Sequence, residues 1–109
     1  MRLLTLCGSL RERSSNRAIL DAFTRLASRD ATVAPYLGMG ALPHFNPDLD
    51  ADRAPPAVSA LCQAIDQADA VIISTPEYAH GLPGAFKTLL DWLVGHPPFA
   101  GKPVVILHA

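Results

Sequence analysis

With 109 residues, 50% of them hydrophobic and 17% charged, the chain has the composition of one folded domain with one core and not that of a disordered segment. A net charge of −1 leaves no basic surplus to neutralise a phosphate polymer, which argues against nucleic acid, and no apolar run reaches the length of a membrane span. Cys7 and Cys62 show neither CxxC nor Cys/His spacing, so both read as small buried hydrophobes in a reducing cytoplasm, and the scattered His44, His96 and His108 suggest no metal site.

The opening MRLLTLCGSLRER is like a signal peptide only on its surface. Its apolar stretch is short, Gly8 interrupts it, and basic residues stand where a small-residue cleavage site belongs. Arg2 to Cys7 reads instead as a buried first strand. Ala18, Ile19, Ala22, Phe23 and Leu26 recur at helical spacing, which predicts a helix from Ser15 to Ser28. Ala31 to Tyr36 is a weaker strand, and Pro35, which cannot donate to a ladder, sends it to an edge. Leu37 to Pro56 has the Gly, Pro, Asn and Asp content of a loop. Val58, Leu61, Cys62 and Ile65 place an apolar stripe on a second helix. Asp69 to Ser74 is a strand with the β-branched run of a parallel sheet. Leu82, Phe86, Leu89, Leu90 and Leu93 mark a third helix, and Pro103 to His108 a fourth strand.

This alternation predicts an α/β fold: a doubly wound parallel sheet with right-handed crossovers and helices on both faces. Such sheets bind ligands beyond the carboxyl ends of the strands, where strand order reverses. The two most unusual loops, GSLRERSSN after the first strand and TPEYAHGLPG after the third, stand at such ends, and with Pro35 they imply the order 2-1-3-4. The chain stops at the fourth strand, so the expectation is a domain whose C-terminal strand and helices are missing.

In the first loop, Ser14, Ser15 and Asn16 are all good N-cap residues. Unpaired N–H groups at a helix start, with the positive end of the helix dipole, suit a phosphate. Gly8 permits a sharp turn, Ser9 and Ser14 offer hydroxyls, and Arg11 offers a charged fork. The plainer reading is a capped helix with solvated arginines, Arg13 and Arg17 among them. The loop is neither GxxxxGK[ST] nor GxGxxG, which disfavours a nucleoside triphosphate or a dinucleotide there.

GSLRERSSN resembles the GSxRxxSxN phosphate loop of the flavodoxin-like NAD(P)H-dependent FMN reductases. TPEYAHGLPGAFKTLLDWL resembles that family's second signature, (S/T)PEYNxxxPGxLKNxxDWL, and LPHFNPDLD its loop after strand two. The resemblance runs over nearly the whole chain and implies a flavodoxin-like FMN-binding domain over residues 1–109. It implies FMN contacts from Ser9, Arg11, Ser14, Ser15 and Asn16 in the first loop. In the second it implies contacts from Pro76, Glu77, Tyr78, Ala79, His80 and Gly81. Pro76 turns the chain from the strand end, backbone N–H groups face the polar edge of the flavin, Tyr78 lies beside the ring, and Gly81 permits close approach. Pro83 suits the first turn of the next helix. The family has Asn where this chain has Ala79, which removes a side-chain contact. Glu77 reads as a solvated loop carboxylate, with a general base as the alternative, and His80 as a residue near the nicotinamide or substrate is an open alternative.

What the resemblance implies is an oxidoreductase that takes hydride from NADPH and reduces flavin, quinone or similar small-molecule acceptors. The flavin carries the chemistry, so no catalytic side chain is assigned. The family's habit also implies a homodimer or homotetramer, with Leu89, Trp92 and Leu93 of the third helix at a subunit contact. The alternatives are a non-enzymatic FMN-binding or electron-carrier module, or an inactive remnant. A carrier is expected to be strongly acidic and to lack PEYxxGxPG; this chain is neither.

Overall fold

The computed structural model describes residues 1–11, 14–27, 29–49, 54–76 and 81–108. Strand β1 (Arg2–Cys7) leads to helix α1 (Ser15–Leu26) and strand β2 (Thr32–Pro35). Helix α2 (Pro56–Gln67), strand β3 (Ala70–Ser74), helix α3 (Gly84–Val94) and strand β4 (Val104–Ile106) follow. All three strand pairings are parallel, in the order β2-β1-β3-β4. The register sets Leu3 beside Ala70 and Cys7 beside Ser74, so β1 and β3 end level with each other.

Burial follows from this order. β1 and β3 have a neighbour on each side and helices on each face, so almost every residue in them is buried, as the continuous apolar runs require. Pro35 ends β2 at the sheet edge, where its missing N–H costs no ladder bond. Alternation along the strands divides the core in two. Leu4, Leu6, Val71 and Ile73 meet Val58, Leu61 and Ile65 of α2 and Phe86, Leu89, Trp92 and Leu93 of α3. Cys7 and Ile72 point the other way, to Leu20 of α1, with Ile19 and Phe23 packed alongside.

The helices begin where their local chemistry permits. Ser14, extended at φ −78°, caps α1. Pro56 stands at the first position of α2, where a missing N–H is tolerated. Buried Pro83 immediately precedes α3, and its carbonyl accepts from the Lys87 N–H at 2.9 Å. Helix α1 ends at Leu26, short of the expected Ser28, because Ala27 is already extended at ψ 147°.

Two expectations for α3 change. Leu82 lies before the helix and is 44% exposed, so it is no part of the stripe. Leu89, Trp92 and Leu93, expected at a subunit contact, are consumed by the chain's own core. The Trp92 indole Nε1–H donates to the Pro43 carbonyl at 2.8 Å, and the Phe45 ring meets it edge-on at 4.9 Å. These contacts fasten the loop after β2 to α3. At the other edge, Val104, Val105 and Ile106 of β4 are all exposed.

Candidate functional site

The first loop is held against the end of β3 at three points. The Gly8 N–H donates to the Ser74 carbonyl at 2.9 Å. A Cβ on Gly8 would lie 2.0 Å from Thr75 Oγ1 and 3.0 Å from Thr75 Cα, so only glycine allows this approach. The Ser74 hydroxyl donates to Asn16 Oδ1 at 2.7 Å, joining β3 to the first turn of α1.

Within the loop, Ser9 is buried and its Oγ accepts the Arg11 N–H at 3.2 Å. Ser14 Oγ accepts the N–H groups of Asn16 and Arg17 at 3.2 and 3.4 Å. A hydroxyl that accepts from the backbone keeps its own proton for a further acceptor. Asn16, accepting through Oδ1, keeps both Nδ2 protons as donors. The Cys7 thiol lies beneath this group, 3.6 Å from the Ser9 carbonyl and 4.0 Å from Ser14 Oγ.

Beside the loop lies a pocket of about 420 Å³ lined by Gly8, Leu10, Arg11, Pro83, Gly84 and Ala85. A second pocket, of about 550 Å³, shares Leu10, Gly84 and Ala85 and reaches Met39, Gly40, Leu42 and His44 in the loop after β2. The described lining of the two contains one guanidinium, Arg11, and no carboxylate. The site thus combines an apolar trough, the glycines Gly40 and Gly84 in its lining and the Arg11 guanidinium with the buried hydroxyl and amide groups of the adjoining first loop. That donor set suits an anionic group on a flat apolar body. FMN, a phosphorylated ring system, meets this description. Another pocket, of about 330 Å³ between β1, β2 and the end of α2, has Arg2, Thr32 and Gln67 in its lining but includes no residue of the first loop or of α3.

Of the residues expected at the cofactor, Ser9, Ser14 and Asn16 come together as a buried polar group, and Arg11 is at the trough. Ser15 begins α1 with its side chain exposed. Pro76 is half-buried, and its carbonyl accepts from Thr75 Oγ1 at 3.2 Å. Gly81 is exposed. Glu77, Tyr78, Ala79 and His80 lie outside the described residues. Sequence reasoning missed Ser74, Leu10, Gly84 and the Met39–His44 wall. Ser74 did leave a signal, a lone hydroxyl closing an apolar strand; the wall sits in a stretch of loop composition where only LPHFNPDLD, from Leu42 on, stood out, by its resemblance to the family's loop after strand two. Among the described residues, no group of three or more His, Cys, Asp or Glu could hold a metal, and no helix is long and apolar enough to cross a membrane.

The chain is 38% identical over 109 residues to a quinone reductase of Escherichia coli, covering 97% of this chain and 58% of that protein. It is 35% identical over 111 residues to an NAD(P)H-dependent FMN reductase of Pseudomonas aeruginosa, covering 100% of this chain and 60% of that one. The flavoenzyme NAD(P)H:(acceptor) oxidoreductase FerB of Paracoccus denitrificans superimposes with a TM-score of 0.86 at 35% identity, covering 98% of this chain and 59% of that structure. The chain therefore spans under two thirds of these relatives. Order β2-β1-β3-β4 and the superposition make the fold flavodoxin-like. The model of the NADPH-dependent FMN reductases matches residues 1–109 in full, and the chain belongs to that family.

Proposed function

We propose that residues 1–109 form part of one flavodoxin-like domain that binds FMN beyond the carboxyl ends of β1 and β3 and uses NADPH to reduce flavins, quinones or similar small molecules. The observation that carries this reading is the position of the phosphate-loop sequence. It opens α1 at the point where the sheet order reverses between β1 and β3, with Ser9, Ser14 and Asn16 gathered behind Arg11. The quinone reductase and FMN reductase relatives support the same chemistry.

The bound flavin supplies two-electron transfer from the nicotinamide to the acceptor. The chain supplies the rest. Arg11 and the Ser9 and Ser14 hydroxyls hold the phosphate end, with the α1 dipole adding to the attraction. Leu10, Met39 and Leu42 offer apolar surface to the ring and exclude water from one side of it. Ser15, Pro76, Glu77, Tyr78, Ala79, His80 and Gly81 belong to the same reading through the motifs that contain them. A homodimer or homotetramer in a reducing cytoplasm completes it, where Cys7 and Cys62 remain thiols.

The test is NADPH oxidation by the FMN-supplemented chain, with a simple benzoquinone or excess free flavin as acceptor. Consumption of NADPH that depends on both FMN and acceptor is the expected result. FMN binding without acceptor-dependent turnover would leave a flavin-binding module in place of a reductase.

A further inference from the structure

We infer that Ser74 is a positioning residue for the phosphate end of the cofactor site, acting through Asn16. This deepens the FMN reading above and rests on it. Ser74 has no exposed surface, and its carbonyl and its hydroxyl both reach into the first loop. The carbonyl accepts the Gly8 N–H at 2.9 Å, and the hydroxyl donates to Asn16 Oδ1 at 2.7 Å across 58 residues of sequence. An amide side chain has one acceptor end and one donor end, and either can face a ligand when the group is free to rotate. A hydroxyl donating to Oδ1 fixes that choice. It turns the Asn16 Nδ2 donors to the remaining side of a buried amide, and an anion at the start of α1 needs donors there. Thr75 packs against Gly8 at the adjacent position and holds β3 and the loop in register. The end of β3 therefore sets the geometry of the phosphate loop as well as starting its own loop.

The experiment compares FMN with riboflavin, which lacks the phosphate, in the full chain and in Ser74→Ala, Asn16→Ala and the double variant. Affinities are read by flavin fluorescence quenching. Ser74→Ala should weaken FMN about three- to tenfold, less than the full loss of a hydrogen bond to a charged group because the Asn16 donors are freed to turn and not removed, and leave riboflavin within about twofold. In the Asn16→Ala background, Ser74→Ala should cause no further loss of phosphate preference, because its effect passes through the missing amide. The side-chain amide resonances of Asn16, assigned by their loss in Asn16→Ala, should also move in unliganded Ser74→Ala. Ser74→Cys, close in size and a weak donor, serves as the second variant if the alanine form does not fold, with the same direction of change. Equal losses for both ligands, or losses of phosphate preference that add in the double variant, would overturn the role of Ser74 while leaving the FMN reading intact. Failure of the unmodified chain to bind FMN would overturn that reading and the inference with it.

Discussion

At the scale of single residues, Arg11 and Tyr36 carry opposite lessons. Arg11 is exposed beside the trough, where a guanidinium keeps its hydration until an anion arrives. Arg11→Ala should cost FMN about 1.5–3 kcal/mol of binding, the worth of a charge-assisted contact, and leave riboflavin nearly unchanged. Equal losses, measured by titration of both ligands, would remove Arg11 from the phosphate site. The Tyr36 hydroxyl is buried with no hydrogen-bond partner among the described residues. Burial, and then Cys62 nearby, hold its phenol above the ordinary tyrosine value. In the unfolded chain the phenol ionises first. Above a pH of about 10 the unfolded state therefore carries fewer protons, and stability falls as pH rises until the folded phenol ionises too. Tyr36→Phe removes the unpaired group and should raise stability by about 1 kcal/mol at neutral pH and flatten the alkaline loss. Urea midpoints at neutral and alkaline pH measure both effects.

At the scale of elements, α1 joins folding to binding through one residue. Ser14 caps the helix and borders the anion site, so two substitutions separate its roles. Ser14→Ala should cost about 1 kcal/mol of stability. Ser14→Asp keeps a good cap, so urea unfolding should find stability retained, but its negative charge should oppose FMN phosphate and weaken binding at least about tenfold. Retained FMN affinity in Ser14→Asp would place the phosphate elsewhere. The sequence made the elements legible because their signals are local. Pro35 marked an edge, the β-branched run Val71 to Ile73 marked a central strand, and Ser14 to Asn16 marked a helix start. What it concealed depends on distant contacts. Trp92, expected at a subunit contact, is instead covered by Pro43 and Phe45, 49 and 47 positions away in sequence. Ser74 looked like the end of a strand, since its partner Asn16 is reached only through strand order. The Met39–His44 wall was marked only in part, by the resemblance of LPHFNPDLD, and its role was hidden for the same reason, since it comes from α3 and Leu10 on the far side of the trough.

At the scale of the whole molecule, the two faces of the sheet and its two edges are unequal. Helices α2 and α3 build the larger core on one face, and α1 covers part of the other. Strand β4 carries Val104, Val105 and Ile106 at 42, 47 and 57% exposure on an open edge. Apolar open edges invite pairing with further strands, so the 109-residue chain should associate as concentration rises. Ile106→Lys should reduce that association in light scattering with little effect on the urea midpoint; unchanged scattering would place the association surface elsewhere. The loops at the carboxyl ends of β1 and β3 make the stronger functional statement, since β1, α1 and the end of β3 together present a donor-rich cradle beside an apolar trough. The most direct measurement of that claim is a fluorescence-quenching titration of the purified chain with FMN and with riboflavin. The cradle predicts saturable 1:1 quenching by FMN, with affinity at least about tenfold above that for riboflavin, the margin of one or more phosphate contacts. Absence of FMN binding, or equal affinity for the two flavins, would contradict it.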